Sequence, residues 1–414
     1  MVFQTAPTGG GTLVRYEDPQ TPIRALRWLQ PLPGGLSAVQ VVTQSDRQQV
    51  SLFKDGVFQA SYAIPKPTGV RDGFFRLAEL RDACVVDGDV AVLLYALPGG
   101  SSDEPSLVLA LDLKSKDIRW FHRAPGEHLA AAEASHAVVY LFGAKTPPVR
   151  LPLALASKEQ TGPTGVRSAA RTLELPPEVQ EISDLKPTGA WTFLLAHKAG
   201  LSAYLGSKGW LHQPLPDANP GWFQDTRGVL SGGPKTYWWQ PSPGSVIQVL
   251  ADGTPKATWT SAELATAEPF TKDASLLHLL GADATGKLWF DLSVPSETAG
   301  SAPVTNTSSD PWKPETPTET PAALPTVKLE DWPTYVSQGL DRLYCWDTQN
   351  KSLRRFKWMT LSVPEGFQKP VNGVKLVPGS GTLLLENGTS AWLLPLSALP
   401  LGEAANTGLP THAK

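Results

Sequence analysis

The chain is poor in cysteine, with two in 414 residues, so no disulfide framework holds it together. Cys84 and Cys345 lie far apart and can pair only if the fold brings their Cα atoms within about 7 Å. Long hydrophobic runs are missing too. The longest, Val90 to Leu97, is far short of the roughly 20 residues that span a bilayer. The opening, Met1-Val2-Phe3-Gln4-Thr5-Ala6-Pro7, reaches Arg15, Glu17 and Asp18 without an apolar core, unlike a secretory signal. The expectation is a cytoplasmic protein, or a periplasmic or exported one if the N-terminus was trimmed. No excess of positive charge is present. A net charge of −3 argues against phosphate-backbone binding, which needs a concentrated basic face. The one basic knot, Lys351, Arg354, Arg355 and Lys357, reads as a solvated strand edge.

Catalytic signatures are missing as well. There is no Gly-x-Ser-x-Gly elbow, no His-Glu-x-x-His pair and no complete Gly-x-x-x-x-Gly-Lys-Ser/Thr phosphate loop, since Leu288 follows the run Gly281 to Lys287. The acidic pairs Asp103-Glu104 and Glu330-Asp331 are adjacent in sequence, whereas a glycosidase needs two carboxylates about 5–9.5 Å apart across a pocket. His122, His128 and His136, with Glu127 and Glu133 nearby, form the only concentration of histidine and are the candidate ligands for a divalent metal. Their spacing matches no metal signature. No set of residues asks for a cofactor, and none is expected.

What the sequence does have is breakers and β-formers. Pro 39 and Gly 36 are scattered between short apolar runs, which implies many tight turns and no long helices. One phrase recurs: an apolar run, a polar turn, then a second run that often carries an aromatic residue. The clearest copies are Leu109 to Trp120 and Leu343 to Phe356; weaker ones lie at Leu52 to Tyr62, Leu201 to Trp210 and Val249 to Trp259. Degenerate hairpins spread over the whole chain predict an all-β fold, a single β-propeller of seven four-stranded blades, or eight if the third region splits.

The blades are expected at about 22–66, 74–125, 128–176, 178–215, 220–260, from 263 onwards, and from about 340 to 398. Asp55-Gly56, Asp87-Gly88 and Asn387-Gly388 are two-residue hairpin signals. The propeller domain covers 1–400, with residues 401–414 as a frayed tail. An N-terminal strand near Thr12 to Tyr16 is expected to complete the last blade, because closing the ring removes exposed sheet edges. Residues 295–326, rich in Pro, Ser, Thr and Glu, cannot bury enough apolar surface to fold alone and read as an insertion loop in the sixth blade.

Leu111-Asp112 with Trp120, and Trp346-Asp347 with Phe356, resemble the pyrroloquinoline-quinone-type repeat of bacterial propellers, with a broader likeness to WD-type repeats. In that repeat an apolar run enters an Asp-led turn, and the next strand places a Trp or Phe between sheets. Lys116 and Asn350 stand where the family's turn carries glycine. The resemblance implies the fold. Quinoprotein dehydrogenases of this kind often have adjacent cysteines above the cofactor, and no such pair exists here.

The function expected is a non-enzymatic scaffold that binds another protein, in a bacterial assembly, a secretion-type machine or a toxin-inhibitor system. The mechanism is rigid presentation of loops, with buried aromatic anchors carrying the affinity. The candidate loop residues are Trp222 and Phe223, Trp238 and Trp239, and Trp312 with Trp332. The rival reading is a carbohydrate-active hydrolase or lyase, or a carbohydrate-binding propeller. It draws on Trp 14 and expects exposed tryptophans at equivalent places in several blades. Neither nucleic acid nor membrane insertion is expected.

Overall fold

The computed structural model describes residues 3–8, 11–16, 23–28, 36–43, 47–54, 57–64, 66, 70–86, 90–98, 105–131, 138–152, 170–189, 191–214, 230–233, 236–242, 245–260, 276–282, 287–293, 343–347, 350, 352–356, 373–376, 382–387, 390–395, 401 and 405–406. These residues form seven antiparallel sheets. The chain is a seven-bladed β-propeller.

The first blade is built from Ile23–Trp28, Leu36–Thr43, Gln48–Lys54 and Val57–Ile64. The second has Glu79–Val86, Val90–Ala96, Pro105–Asp112 and Ile118–Pro125, preceded by a short helix at Asp72–Leu77. The third has His128–Ala131, Val138–Gly143, Thr146–Pro152 and Arg171–Thr172; the fourth has Ile182–Pro187, Thr192–His197, Gly200–Leu205 and Trp210–Pro214. The fifth has Leu230–Gly233, Thr236–Ser242, Ser245–Val249 and Pro255–Thr260. In each, strands pair in chain order, and from the second blade to the sixth the first strands of successive blades abut around the axis.

Packing explains the sequence pattern. Apolar clusters fill the seams between the first and second blades, the second and third, and so on to the fifth and sixth, and another joins the seventh to the first. A middle strand therefore has a neighbouring blade on each face and reads as a continuous apolar run. Val90 to Tyr95 and Val138 to Gly143 are buried throughout. Outer strands such as Val57–Ile64 face solvent over much of their length. All five copies of the recurring phrase are the hairpin between a third and a fourth strand.

The sixth blade differs from expectation. Lys287–Ser293 pairs with Leu343–Asp347, which pairs with Ser352–Arg355, so the segment from Leu343 belongs to the sixth blade and not to the last. The connection 294–342 lies outside the described residues and separates two strands that are neighbours in space. Sequence adjacency is a poor guide where a long connection enters a blade. The tail also differs: Ala405 and Asn406 pair with Leu353 and Ser352, and Leu401 bridges Phe356.

The seventh blade closes the ring. Gly373–Leu376, Thr382–Asn387 and Ser390–Pro395 are followed in the sheet by Gly11–Tyr16 and then Phe3–Thr8. Leu13 faces Trp392 and Val14 faces Ala391 across the joint. Two N-terminal strands take part where one was expected.

Candidate functional site

Two turns show why the recurring phrase folds as it does. Asp112 Oδ1 accepts the N–H groups of Lys114 at 2.8 Å and Ser115 at 2.9 Å, and Oδ2 accepts Arg119 Nε at 2.8 Å. The Ser115 N–H, with help from Arg119, holds its carboxyl down at about 2. Asp347 works alike: Oδ1 accepts the Asn350 N–H at 3.0 Å and Oδ2 the Asn350 side chain at 2.9 Å. Trp120 and Phe356, both buried, pack where the repeat places its aromatic residue.

The axis is lined by the first strands, which carry a register shift at Ile23/Ala25, Leu80/Asp82, Ile182/Asp184 and Leu279/Gly281. Asp82 and Asp184 occupy two of these bulges. Asp82 Oδ1 accepts the Ala83 N–H and Oδ2 the Leu129 N–H, both at 2.8 Å, so it ties the second blade to the third. Desolvation pushes its carboxyl up to about 6 against those two hydrogen bonds, with Asp184 adding repulsion. Both Asp82 oxygens serve the backbone. The equivalent residues Ala25 and Gly281 carry no carboxylate, so the axis is not a repeated acidic ring.

A buried serine lies between two histidines in the fourth blade. His197 Nδ1 accepts the Ala199 N–H at 3.3 Å, which leaves Nε2 to donate to Ser202 Oγ at 2.9 Å. The hydroxyl then donates to His212 Nδ1 at 3.0 Å. Burial, with His212 alongside, lowers His197 to about 4 and keeps it neutral. Ser202 has no exposed surface, so this chain ties three strands together and has no opening to a substrate.

The face that remains open is set by topology. In a four-stranded meander the turns joining strands one to two and three to four lie at the same end. Among the described residues the exposed large hydrophobics are Val57, Phe58, Leu77, Trp191, Leu211 and Leu250, and all but Leu77 lie at or next to those turns. Trp191 is the prominent one, 54% exposed. It follows the turn Pro187-Thr188-Gly189, where the N–H groups of Thr188 and Gly189 both donate to Thr192 O. Arg150 of the third blade lies over its ring, 3.6 Å from the centroid. Beneath them the seam is aromatic: Tyr140 is 5.3 Å from Phe193, which is 5.3 Å from Tyr204 and 5.5 Å from Trp210.

The residues expected from sequence fall elsewhere. Trp238 and Trp239 are not loop residues. They lie in the strand Thr236–Ser242 and are 1% and 3% exposed, because the second strand of a blade is covered on both faces. Trp222, Phe223, Trp312 and Trp332 lie outside the described residues, as does His136. His122 sits on the outer strand of the second blade and His128 on the first strand of the third, its ring 5.5 Å from that of Phe142. Among the described residues no three His, Cys, Asp or Glu side chains group as metal ligands. The described tryptophans do not recur in the exposed, equivalent places that the carbohydrate reading requires: Trp120, Trp238, Trp289, Trp346 and Trp392 fill the space between sheets, fully buried. Cys84 and Cys345 are both buried and are not joined by a disulfide. Trp191 was missed. The signal for it was a tryptophan placed two residues after the glycine of a Pro-Thr-Gly run.

No family model and no curated protein matches the chain. Solved structures similar to it include the extracellular domain of BT4673 from B. thetaiotaomicron, at 10% identity and a TM-score of 0.42, covering 93% of this chain and 39% of that one. A chain of the mitotic checkpoint complex is similar at 9% identity and a TM-score of 0.46, covering 92% and 98%. BamB from Moraxella catarrhalis is similar at 10% identity and a TM-score of 0.38, covering 94% and 92%. The chain thus spans well under half the length of the BT4673 domain. Likenesses this distant assign no activity. Among the described residues no helix is long and apolar enough to cross a membrane.

Proposed function

We propose that the protein is a non-enzymatic scaffold that binds another protein through the turn face around its fourth blade. One observation carries this: Trp191 is exposed where the first two strands of the fourth blade join, with Arg150 stacked on it. Tryptophan and arginine are enriched among the side chains that dominate protein interfaces; tryptophan buries a large area with only two torsions to freeze, and stacking on its ring holds the Arg150 guanidinium in place. Leu211 and Leu250, on the fourth and fifth blades, extend the apolar surface. The staples at Asp112 and Asp347 support a relation to the pyrroloquinoline-quinone-type repeat at the level of the hairpin. Scaffolding rather than cofactor chemistry is the use proposed for it here.

The test is affinity capture from the source organism with the intact chain and with Trp191→Ala side by side. A stoichiometric protein partner that is lost with Trp191→Ala, while the melting curve of the variant is unchanged, is the expected result. A partner retained at full occupancy by the variant counts against this face.

A further inference from the structure

The seam between the third and fourth blades has two unlike walls. In the third blade Ala130, Tyr140, Arg150 and Arg171 lie directly opposite one another across four strands, so they project to one face of the sheet. That face packs on the fourth blade, since Tyr140 meets Phe193. Moving outward, the row runs from a small apolar residue through a buried phenol to two guanidinium groups. The fourth blade answers with Phe193, Tyr204 and Trp210, and with Trp191 at the turn.

Two like charges directly opposite each other in a sheet repel and are destabilising. Among the described residues neither Arg150 nor Arg171 has an ion-pair partner. The Tyr140 hydroxyl takes one hydrogen bond from Arg150, while Arg150 Nε is buried without a partner. Lys208, in the outer turn of the fourth blade, adds positive charge at the same end. Glu127, Glu174, Glu178 and Glu181 of these two blades all lie in connections at the opposite end. Among the described residues the two arginines are thus left without a carboxylate ion-pair partner, on a chain whose net charge is −3.

We infer that this seam receives an acidic segment of the partner protein, with a carboxylate bound between Arg150 and Arg171 and an apolar neighbour resting on the open side of Trp191. This rests on the protein-binding reading above and narrows it to a partner chemistry. Arginine suits the task because its planar fork can hold a carboxylate through two parallel hydrogen bonds. Stacking on Trp191 fixes the plane of Arg150 before the ligand arrives, which lowers the ordering cost of binding.

The test uses the intact chain and a random twelve-residue peptide library displayed on phage. Enriched peptides are then measured as free, dye-labelled peptides against the wild type, Arg150→Gln/Arg171→Gln, Arg150→Glu/Arg171→Glu and Trp191→Ala. The glutamine pair keeps side chains of similar reach, and thermal melts confirm that every variant used is folded. The expected result is enrichment of Asp or Glu beside an apolar or aromatic residue. Affinity should fall about tenfold or more in the glutamine pair and further in the glutamate pair. It should also weaken as salt rises, as expected for an exposed ion pair. Peptides that need Trp191 but ignore both arginine pairs overturn the acidic partner and leave the interaction face standing. Peptides that need the arginines but not Trp191 keep the acidic ligand and remove the tryptophan anchor. Peptides with no acidic preference that bind all variants alike overturn both.

Discussion

Gln240 Oε1 accepts the backbone N–H of Leu279 at 2.7 Å, across the seam from the fifth blade to the sixth. Gln40 does the same for Leu80 at 2.9 Å, from the first blade to the second. Both glutamines are buried on second strands, and both target residues stand immediately before the bulge of the next inner strand. A bulge interrupts the ladder and leaves backbone groups in need of partners. The carboxamide supplies one without bringing a charge into an apolar seam.

Replacing Gln40 or Gln240 with leucine removes that acceptor while keeping the volume. An unsatisfied buried N–H costs about 1–3 kcal/mol. Urea titration should show each variant less stable by that order. Each variant loses donated bonds as well: Gln40 donates to Gln48 Oε1 at 2.7 Å and to Ala78 O at 3.2 Å, and Gln240 to Ser242 O at 3.3 Å.

Gly200 closes the turn between the second and third strands of the fourth blade with φ 151°, and a Cβ there would lie 2.2 Å from Gln213 O. Neither partner is the end of a flexible side chain. Gly200→Ala is expected to cost roughly 3 kcal/mol, at the severe end for a single change. A lowered melting temperature checks it, together with faster hydrogen exchange at the strand Trp210–Pro214.

Lys116 holds φ 65°, the left-handed region in which Gly253 sits at 83° in the fifth blade's corresponding turn. Lys116→Gly relieves a strain of about 1–2 kcal/mol and gives part of it back as unfolded-chain entropy. The net expectation is a gain of up to about 1 kcal/mol, read as a small rise in the midpoint of denaturation.

Asp112, whose carboxyl is held down at about 2, contributes stability that is complete above its unfolded pKa of about 4. That contribution is lost as the pH falls from about 4 towards 2. Asp112→Ala should flatten this part of the acid-denaturation curve. Its effect at neutral pH should exceed that of a surface substitution, because the turn loses four hydrogen bonds at once.

Asp82 behaves in the opposite sense. Its carboxyl, raised to about 6, binds a proton more readily in the native state than in the unfolded chain. Its ionisation therefore lowers stability as the pH rises from about 4 to about 6. Asp82→Asn should remove this slope from a plot of melting temperature against pH. A slope that persists in the variant would assign it to another group.

Much of the architecture is written in local residue order. Apolar runs such as Val90 to Tyr95, polar turns and aromatic returns set strand after strand, because alternation of apolar and breaker residues acts over ten residues or so. The hairpins ending at Trp120 and Phe356 were readable for the same reason: an aspartate at the head of a turn satisfies N–H groups only two and three residues away. Only the tertiary structure decided which strands share a blade where the connection is long, since Leu343–Asp347 finds Lys287–Ser293 across a gap of some fifty residues. It also decided which tryptophans face water. Trp191 and Trp238 both lie at or beside a second strand, yet one is exposed and the other covered, because burial depends on the neighbouring blade. The pairing of Arg150 with Arg171, 21 positions apart, belongs to that same class of information. Local sequence specifies the turn and the strand; the ring, by bringing unlike blades face to face, specifies the surface.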